Sequence, residues 1–376
     1  MALGIVDLVL RVVIFGVGLY IVIAVIMAAL KTFALPRSAS VWLSRATFRS
    51  IRRVFNLRLK RARSYEERDQ VMALYAPISL FVLPIIWLAV VIFGYTLMFW
   101  ALGLSVYDAF KTSGSSLMTL GFSLADSTPM LILEFTEAAL GMLLVALLIA
   151  YLPTMYSAFS KREAIVSLLE VRAGSPPSPA EMLIRMHSLR SLNGFDELWP
   201  QWEVWFVEIE ESHTSLAALT FFRSPKGNNS WVTAAGTILD AGALMRSTID
   251  MPLNPQIDLT IRAGFIALRS IADFFYISYD SDPRPDAPIS IAREEYDQVY
   301  DQLQKAGLPL KADRDQAWRD YAGWRVNYDR VLLSMAELTI APYAMWISDR
   351  GIPRDLTAAQ ARKARNDVPK PSSNPM

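Results

Sequence analysis

Residues 115–124 read SSLMTLGFSL. This short polar run lies between two apolar stretches, 71–106 and 138–160. Each stretch is long enough to cross a bilayer core of roughly 30 Å at about 1.5 Å of helix per residue. Backbone at membrane depth must be satisfied by protein or by a water-filled path, so a polar re-entrant segment between two membrane helices is rare. Rings of backbone carbonyls are one way a protein replaces the hydration shell of an ion. The placement of this run therefore decides how the rest of the chain is read.

Composition agrees with a membrane protein. The 376 residues are 53% hydrophobic and 19% charged, too apolar for a soluble globular protein, and the apolar residues concentrate before residue 160. A formal net charge of +1 gives no support for binding nucleic acid. The absence of cysteine excludes disulfides, thiol nucleophiles and cysteine metal sites, and two histidines, His187 and His213, leave little for acid–base chemistry.

A third apolar run, 12–30, is uncharged. A signal peptide would need a basic start, but only Asp7 and Arg11 precede it, so it is expected to be an uncleaved anchor. In the second run, Pro77 and Pro84 are expected to mark the start, with the span near 85–104. Residues 31–70 carry eleven Lys/Arg against three acids, which places this linker in the cytoplasm. The N-terminus and residues 107–131 then lie outside, and everything after Lys161 lies inside. Asp108, Asp126, Glu134 and Glu137 face only Lys111 on the outer side. Such acids form either a cation-concentrating rim or merely solvated helix ends. Within the linker, Phe48, Ile51, Phe55 and Leu59 recur at helical spacing, flanked by Arg45, Arg49, Arg52, Arg53 and Arg58. This predicts an amphipathic helix at the inner membrane surface.

Residues 107–118 predict a helix too short to span, whose C-terminal partial negative charge would favour a cation at the following run. Thr119 offers a hydroxyl and a carbonyl. Gly121 allows the backbone angles that turn successive carbonyls inward. Phe122 is expected to wedge against the short helix.

With these residues the chain resembles the tetrameric potassium-channel family in its minimal form of outer helix, pore loop and inner helix, over about residues 75–165. The family filter, Thr-x-Gly-Tyr/Phe-Gly, is matched by Thr119, Leu120, Gly121 and Phe122. Ser123 stands in the fifth position in place of glycine, and Leu124 where an aspartate commonly follows. The resemblance implies a homotetramer in the lipid bilayer, potassium as permeant ion, no cofactor, an ion pathway at Thr119–Ser123 and an outer mouth at Asp108 and Asp126. A left-handed Ser123 would cost on the order of 1–2 kcal/mol, so weaker ion discrimination is expected, sharpened by Ser123→Gly. Gly141 lies near where the family places a hinge glycine, or serves close helix packing. Pro153 is a second candidate bend. YLPTMYSAFSKRE and SLLEVRAGSPPSP look like a bacterial group of the superfamily with a helical cytoplasmic domain.

The expected fold is an all-α membrane protein: a potassium-channel-like pore with an extra N-terminal transmembrane helix and an all-α cytoplasmic domain. Its parts are a transmembrane helix (1–30), a basic amphipathic linker (31–70), a pore domain (71–163), a helical domain (175–350) and a disordered tail (351–376). SPPSP at 175–179 breaks the chain, and Ser178 with Glu181 offers a capping box. Helical patterns follow at 179–191, 195–213, 230–248, 257–276, 290–306 and 314–339. Neither a GxGxxG after a strand nor a Walker loop is present. The Glu210/His213 pair has metal-site spacing but occurs once, and Asp280, Asp282 and Asp286 lack the glycine and glutamate of a calcium loop. Trp199, Trp202 and Trp205 predict a packing stripe. No nucleophile–base set points to an enzyme. The function expected is a cation channel regulated or clamped by its helical domain. A non-conducting sensor or scaffold is the alternative, and Ser123 is the residue that favours it.

Overall fold

The computed structural model describes residues 2–33, 42–62, 64–123, 127–189 and 197–350. Leu124, Asp126 and the tail 351–376 lie outside the described residues. The regular elements described are helices, with one isolated antiparallel bridge between Ile249 and Leu310. The chain divides into two units.

The first unit runs to Phe159 and includes Ser215–Phe222. It holds α1 (Ala2–Phe33), α2 (Trp42–Leu59), α3 (Tyr65–Ala73), α4 (Tyr75–Ala101), α5 (Val106–Leu117) and most of α6 (Thr128–Ala173). A short 3-10 helix, Ala217–Phe221, belongs to it. The segments Ile5–Thr32, Tyr65–Ala101 and Thr128–Ala173 each contain a stretch long and apolar enough to cross a membrane. The helix of the second span does not wait for residue 85. Pro77 falls in the first turn of α4, where a missing N–H costs nothing, and Pro84 is accommodated inside it. α1 packs on α4, and two glycines set the distance. A Cβ on Gly94 would lie 2.8 Å from Val22 Cγ2 and 3.0 Å from the Gly18 carbonyl oxygen. Small residues allow this close approach of membrane helices.

The second unit comprises Ser160–Thr214 and the chain from Arg223. α7 (Pro179–Ser188), α8 (Leu198–Ser215), α10 (Pro255–Phe274), α11 (Arg293–Lys305), α12 (Arg314–Arg325) and α13 (Asp329–Thr339) accompany a central α9 (Trp231–Ser247). α9 is rich in Ala, Gly and Thr and is buried along almost its whole length, with α7, α10, α12 and α13 packed on it. Ser178 caps α7 through the Glu181 N–H, but the Glu181 carboxylate turns to Arg185 at 2.7 Å, so half of the expected capping box forms. The helix expected over 314–339 is two helices. The chain breaks at 326–328, which brings Tyr328 and Arg325 together on Asp240. Arg325 Nη1 lies 2.6 Å from both Asp240 oxygens, and the Tyr328 hydroxyl donates to Oδ1 at 2.9 Å. Arg325 Nε donates to Asp329 at 2.7 Å. Burial opposes the Arg325 charge, but the two carboxylates outweigh it and hold the guanidinium well above its ordinary value. Trp199, Trp202 and Trp205 are in the core, with the last two rings 4.8 Å apart and edge-on.

Candidate functional site

Ser105 caps the N-terminus of α5 by accepting from the Asp108 N–H at 3.1 Å, and its hydroxyl donates to Asp108 Oδ2 at 2.6 Å. Twelve residues later α5 ends, and its end is a closed motif. The Thr119 N–H donates to the Ser116 carbonyl at 3.0 Å, and the Leu120 N–H donates to the Ser115 carbonyl at 2.8 Å. This pair of bonds is a Schellman cap, which requires a left-handed residue just past the helix. Thr119 occupies that position with φ 54°. A β-branched residue there is a genuine outlier. The strain expected at Ser123 therefore falls on Thr119 instead, since Ser123 is not among the residues with positive φ.

Gly121 is also left-handed, φ 72°, while Leu120 and Phe122 between and after are not. The sign of φ thus alternates through 119–122. Ser115, itself buried, tethers the segment: its Oγ accepts from the Phe122 N–H at 3.1 Å and the Ser123 N–H at 3.2 Å. Ser123 Oγ and Thr112 Oγ1 pair at 2.9 Å. Ser123 is thus a tie between the loop and α5, where a glycine would supply no hydroxyl.

One expectation about this segment changes. Phe122 does not wedge against α5; its side chain is 57% exposed and the contact is made by its backbone. The carbonyls of Ser115 and Ser116 each accept one hydrogen bond from the cap. Leu120 is likewise 62% exposed. These two apolar side chains stand out from the unit on the same short loop.

α5 is fastened to α6. Ser116 Oγ donates to the Glu134 carbonyl at 2.6 Å. Ser113 Oγ lies 2.5 Å from Glu137 Oε1 and 3.2 Å from the Ile92 carbonyl of α4. Glu134 and Glu137 are buried, so neither belongs to an outer acidic rim nor to a solvated helix end. Both sit on the inward side of α6, where the serines of α5 reach them. Gly141 lies where the Leu117 carbonyl comes closer than any Cβ would permit, so its position serves the close approach of α5 and α6. Pro153 sits within α6, which continues through it to Ala173. Asp108 stays exposed at the start of α5, and Asp126 falls outside the described residues.

The other sequence candidates do not converge. Glu210 accepts from Ser270 at 2.8 Å, whereas His213 faces Arg162 Nη1 at 3.2 Å. Asp280 caps its own turn through the Asp282 N–H, and Asp286 pairs with Arg284. Among the described residues, no group of three or more His, Asp or Glu is arranged to hold a metal ion. The buried Arg162/Glu163/His213 cluster was not legible in the sequence, because Arg162 and His213 are 51 positions apart. Burial pushes the His213 imidazole well below its ordinary value, and the Arg162 cation pushes it further.

Comparison with protein-family models, with curated proteins and with solved structures returns no match.

Proposed function

We propose that this chain is one subunit of a potassium-permeable cation channel, in which residues 119–123 line the ion path. The observation that carries this is the tethered loop between two spans. Ser115 holds two of its N–H groups, those of Phe122 and Ser123, and its φ alternates in sign over Thr119–Phe122. Alternating φ is compatible with neighbouring carbonyls turned toward one side, which a carbonyl-lined path needs. A strained threonine in such a loop is a pointer to function, because strain persists only where the surroundings fix it. One loop supplies one wall, so four copies around a fourfold axis would complete the cage. The exposed Leu120 and Phe122 agree with this, since neighbouring subunits would cover them.

In this reading the chain is a multi-pass protein of the plasma membrane, with its N-terminus outside and the second unit in the cytoplasm. α6 is shared by both units, so a regulatory shift of the second unit would act through that helix.

Potassium flux into liposomes holding the purified protein tests this directly. Flux that exceeds sodium flux, from a protein that cross-links up to tetramers, is the expected result. Tetramers without flux would favour the non-conducting sensor or scaffold. Monomers or dimers alone in native mass measurement would remove the shared cage.

A further inference from the structure

We infer that the outward face of α2 binds the headgroups of anionic phospholipids. Its location is fixed by its neighbours. Ser44, near its start, pairs with Thr32 at the end of α1 at 3.1 Å. The hydroxyl of Tyr75, the first residue of α4, donates to the Phe48 carbonyl at 3.3 Å. α2 therefore bridges the end of one span and the start of the next, the level at which bilayer meets water.

The two faces of α2 differ. The inner face is committed: Thr47 is buried, Phe48 packs against the α1/α4 core, and the Arg52 guanidinium sits 5.3 Å from the Tyr75 ring centroid and 5.8 Å from that of Phe221. The outer face is not. Val54 and Leu57 are 61% and 63% exposed, set among exposed Arg49, Arg53 and Arg58. Residues 42–62 contain no Asp or Glu to balance these cations.

This pairing of apolar and cationic groups selects the occupant. Val54 and Leu57 gain by entering the acyl boundary, while arginines on the same face extend their charged ends to the headgroups. A second copy of α2 would bring like charge against like charge, so the covering partner must be negative. At the ends of two spans, the negative surface at hand is anionic lipid. The inference rests on the membrane-spanning character of the helices and not on whether the protein conducts.

The chain has no cysteine, so Leu57→Cys gives a single attachment point for a nitroxide on the full-length protein. In vesicles of phosphatidylcholine with phosphatidylglycerol, the label is expected to be shielded from a water-soluble nickel relaxant and open to oxygen. In the second arm, spin-labelled phosphatidylglycerol is expected to associate with the protein about fivefold more than spin-labelled phosphatidylcholine, roughly one basic residue's worth at an anionic surface. Arg49→Gln/Arg53→Gln/Arg58→Gln should bring that ratio toward one. A label freely reached by nickel, or hidden from both nickel and oxygen as under a protein cover, overturns the inference. So does an unchanged lipid ratio in a triple variant that melts like the native protein. If the triple variant does not fold, the native ratio decides alone, and a value near one overturns it.

Discussion

Both units are built from helices, but with opposite surfaces. In the first, large apolar side chains such as Phe81, Phe135 and Ile149 are mostly exposed, and helices meet through Gly18, Gly94 and Gly141. Polar groups there are mainly hydroxyls that fasten backbone, as Ser115 and Ser116 do. In the second, the largest aromatics are buried, and charge is handled in pairs, from the surface Arg314–Asp301 contact to the fully buried Arg325–Asp240 pair. This is the difference expected between helices in lipid and helices in water, and three helices of the first unit are long and apolar enough to cross a membrane. Lipid gives no hydrophobic reward for bringing helices together, so close packing and hydrogen bonds must do it. Water rewards burying tryptophan and tolerates charged rims.

The largest effect tests the second unit. Arg325→Met should leave Asp240 and Asp329 buried against an apolar chain and cost about 3–5 kcal/mol, the usual consequence of breaking a buried pair from one side. Thermal unfolding of the full-length protein followed by tryptophan fluorescence would check it. A melting temperature within a degree of native would show that the pair contributes little.

Next comes the packing of α5 on α6. Gly141→Ala inserts a methyl group where the Leu117 carbonyl already sits, with an expected cost of about 1–3 kcal/mol from overpacking. On the channel reading proposed above, ion flux should fall while the second unit melts unchanged. A hinge at this position would instead leave packing intact and alter opening, so full thermal stability with changed open probability would break the packing assignment.

Ser115→Ala removes the acceptor for two part-buried loop N–H groups, at about 0.5–1.5 kcal/mol for each bond lost. On the channel reading proposed above, the expected outcome is weakened potassium-over-sodium selectivity in liposome flux, with the native cross-linking pattern retained. Unaltered selectivity would separate the tether from the ion path.

The smallest effect is in pH. The depressed His213 value means that its contribution is full above the ordinary imidazole value near 6.5 and is lost as pH falls below it. The slope is at most about 1.4 kcal/mol per pH unit for one proton. His213→Gln should flatten the fall in melting temperature of the second unit between pH 7 and 5. Parallel pH profiles for native and variant proteins would assign the acid sensitivity elsewhere.

Element identity was largely written in the chain. Long apolar runs marked the three segments able to cross a membrane, and SPPSP marked a break before α7. The break at 326–328 was not visible, because 314–339 keeps helical propensity throughout. The chain interrupts it there to satisfy Asp240, a residue about 85 positions earlier. Glu134 and Glu137 misled for a similar reason. Acids near a span end suggest a solvated mouth, yet their burial depends on which face of α6 meets α5.

By itself, the sequence determined that this is a helical chain with three membrane-compatible spans, a polar loop between two of them, and a basic linker. These follow from hydropathy, helical period and glycine or proline placement, all local along the chain. Only the tertiary structure decided that Thr119 rather than Ser123 takes the left-handed strain, that Ser115 holds the loop, and that Gly141 admits the Leu117 carbonyl. Each depends on which distant backbone groups must find hydrogen-bond partners or space once the helices have packed, and that accounting exists only in the folded chain.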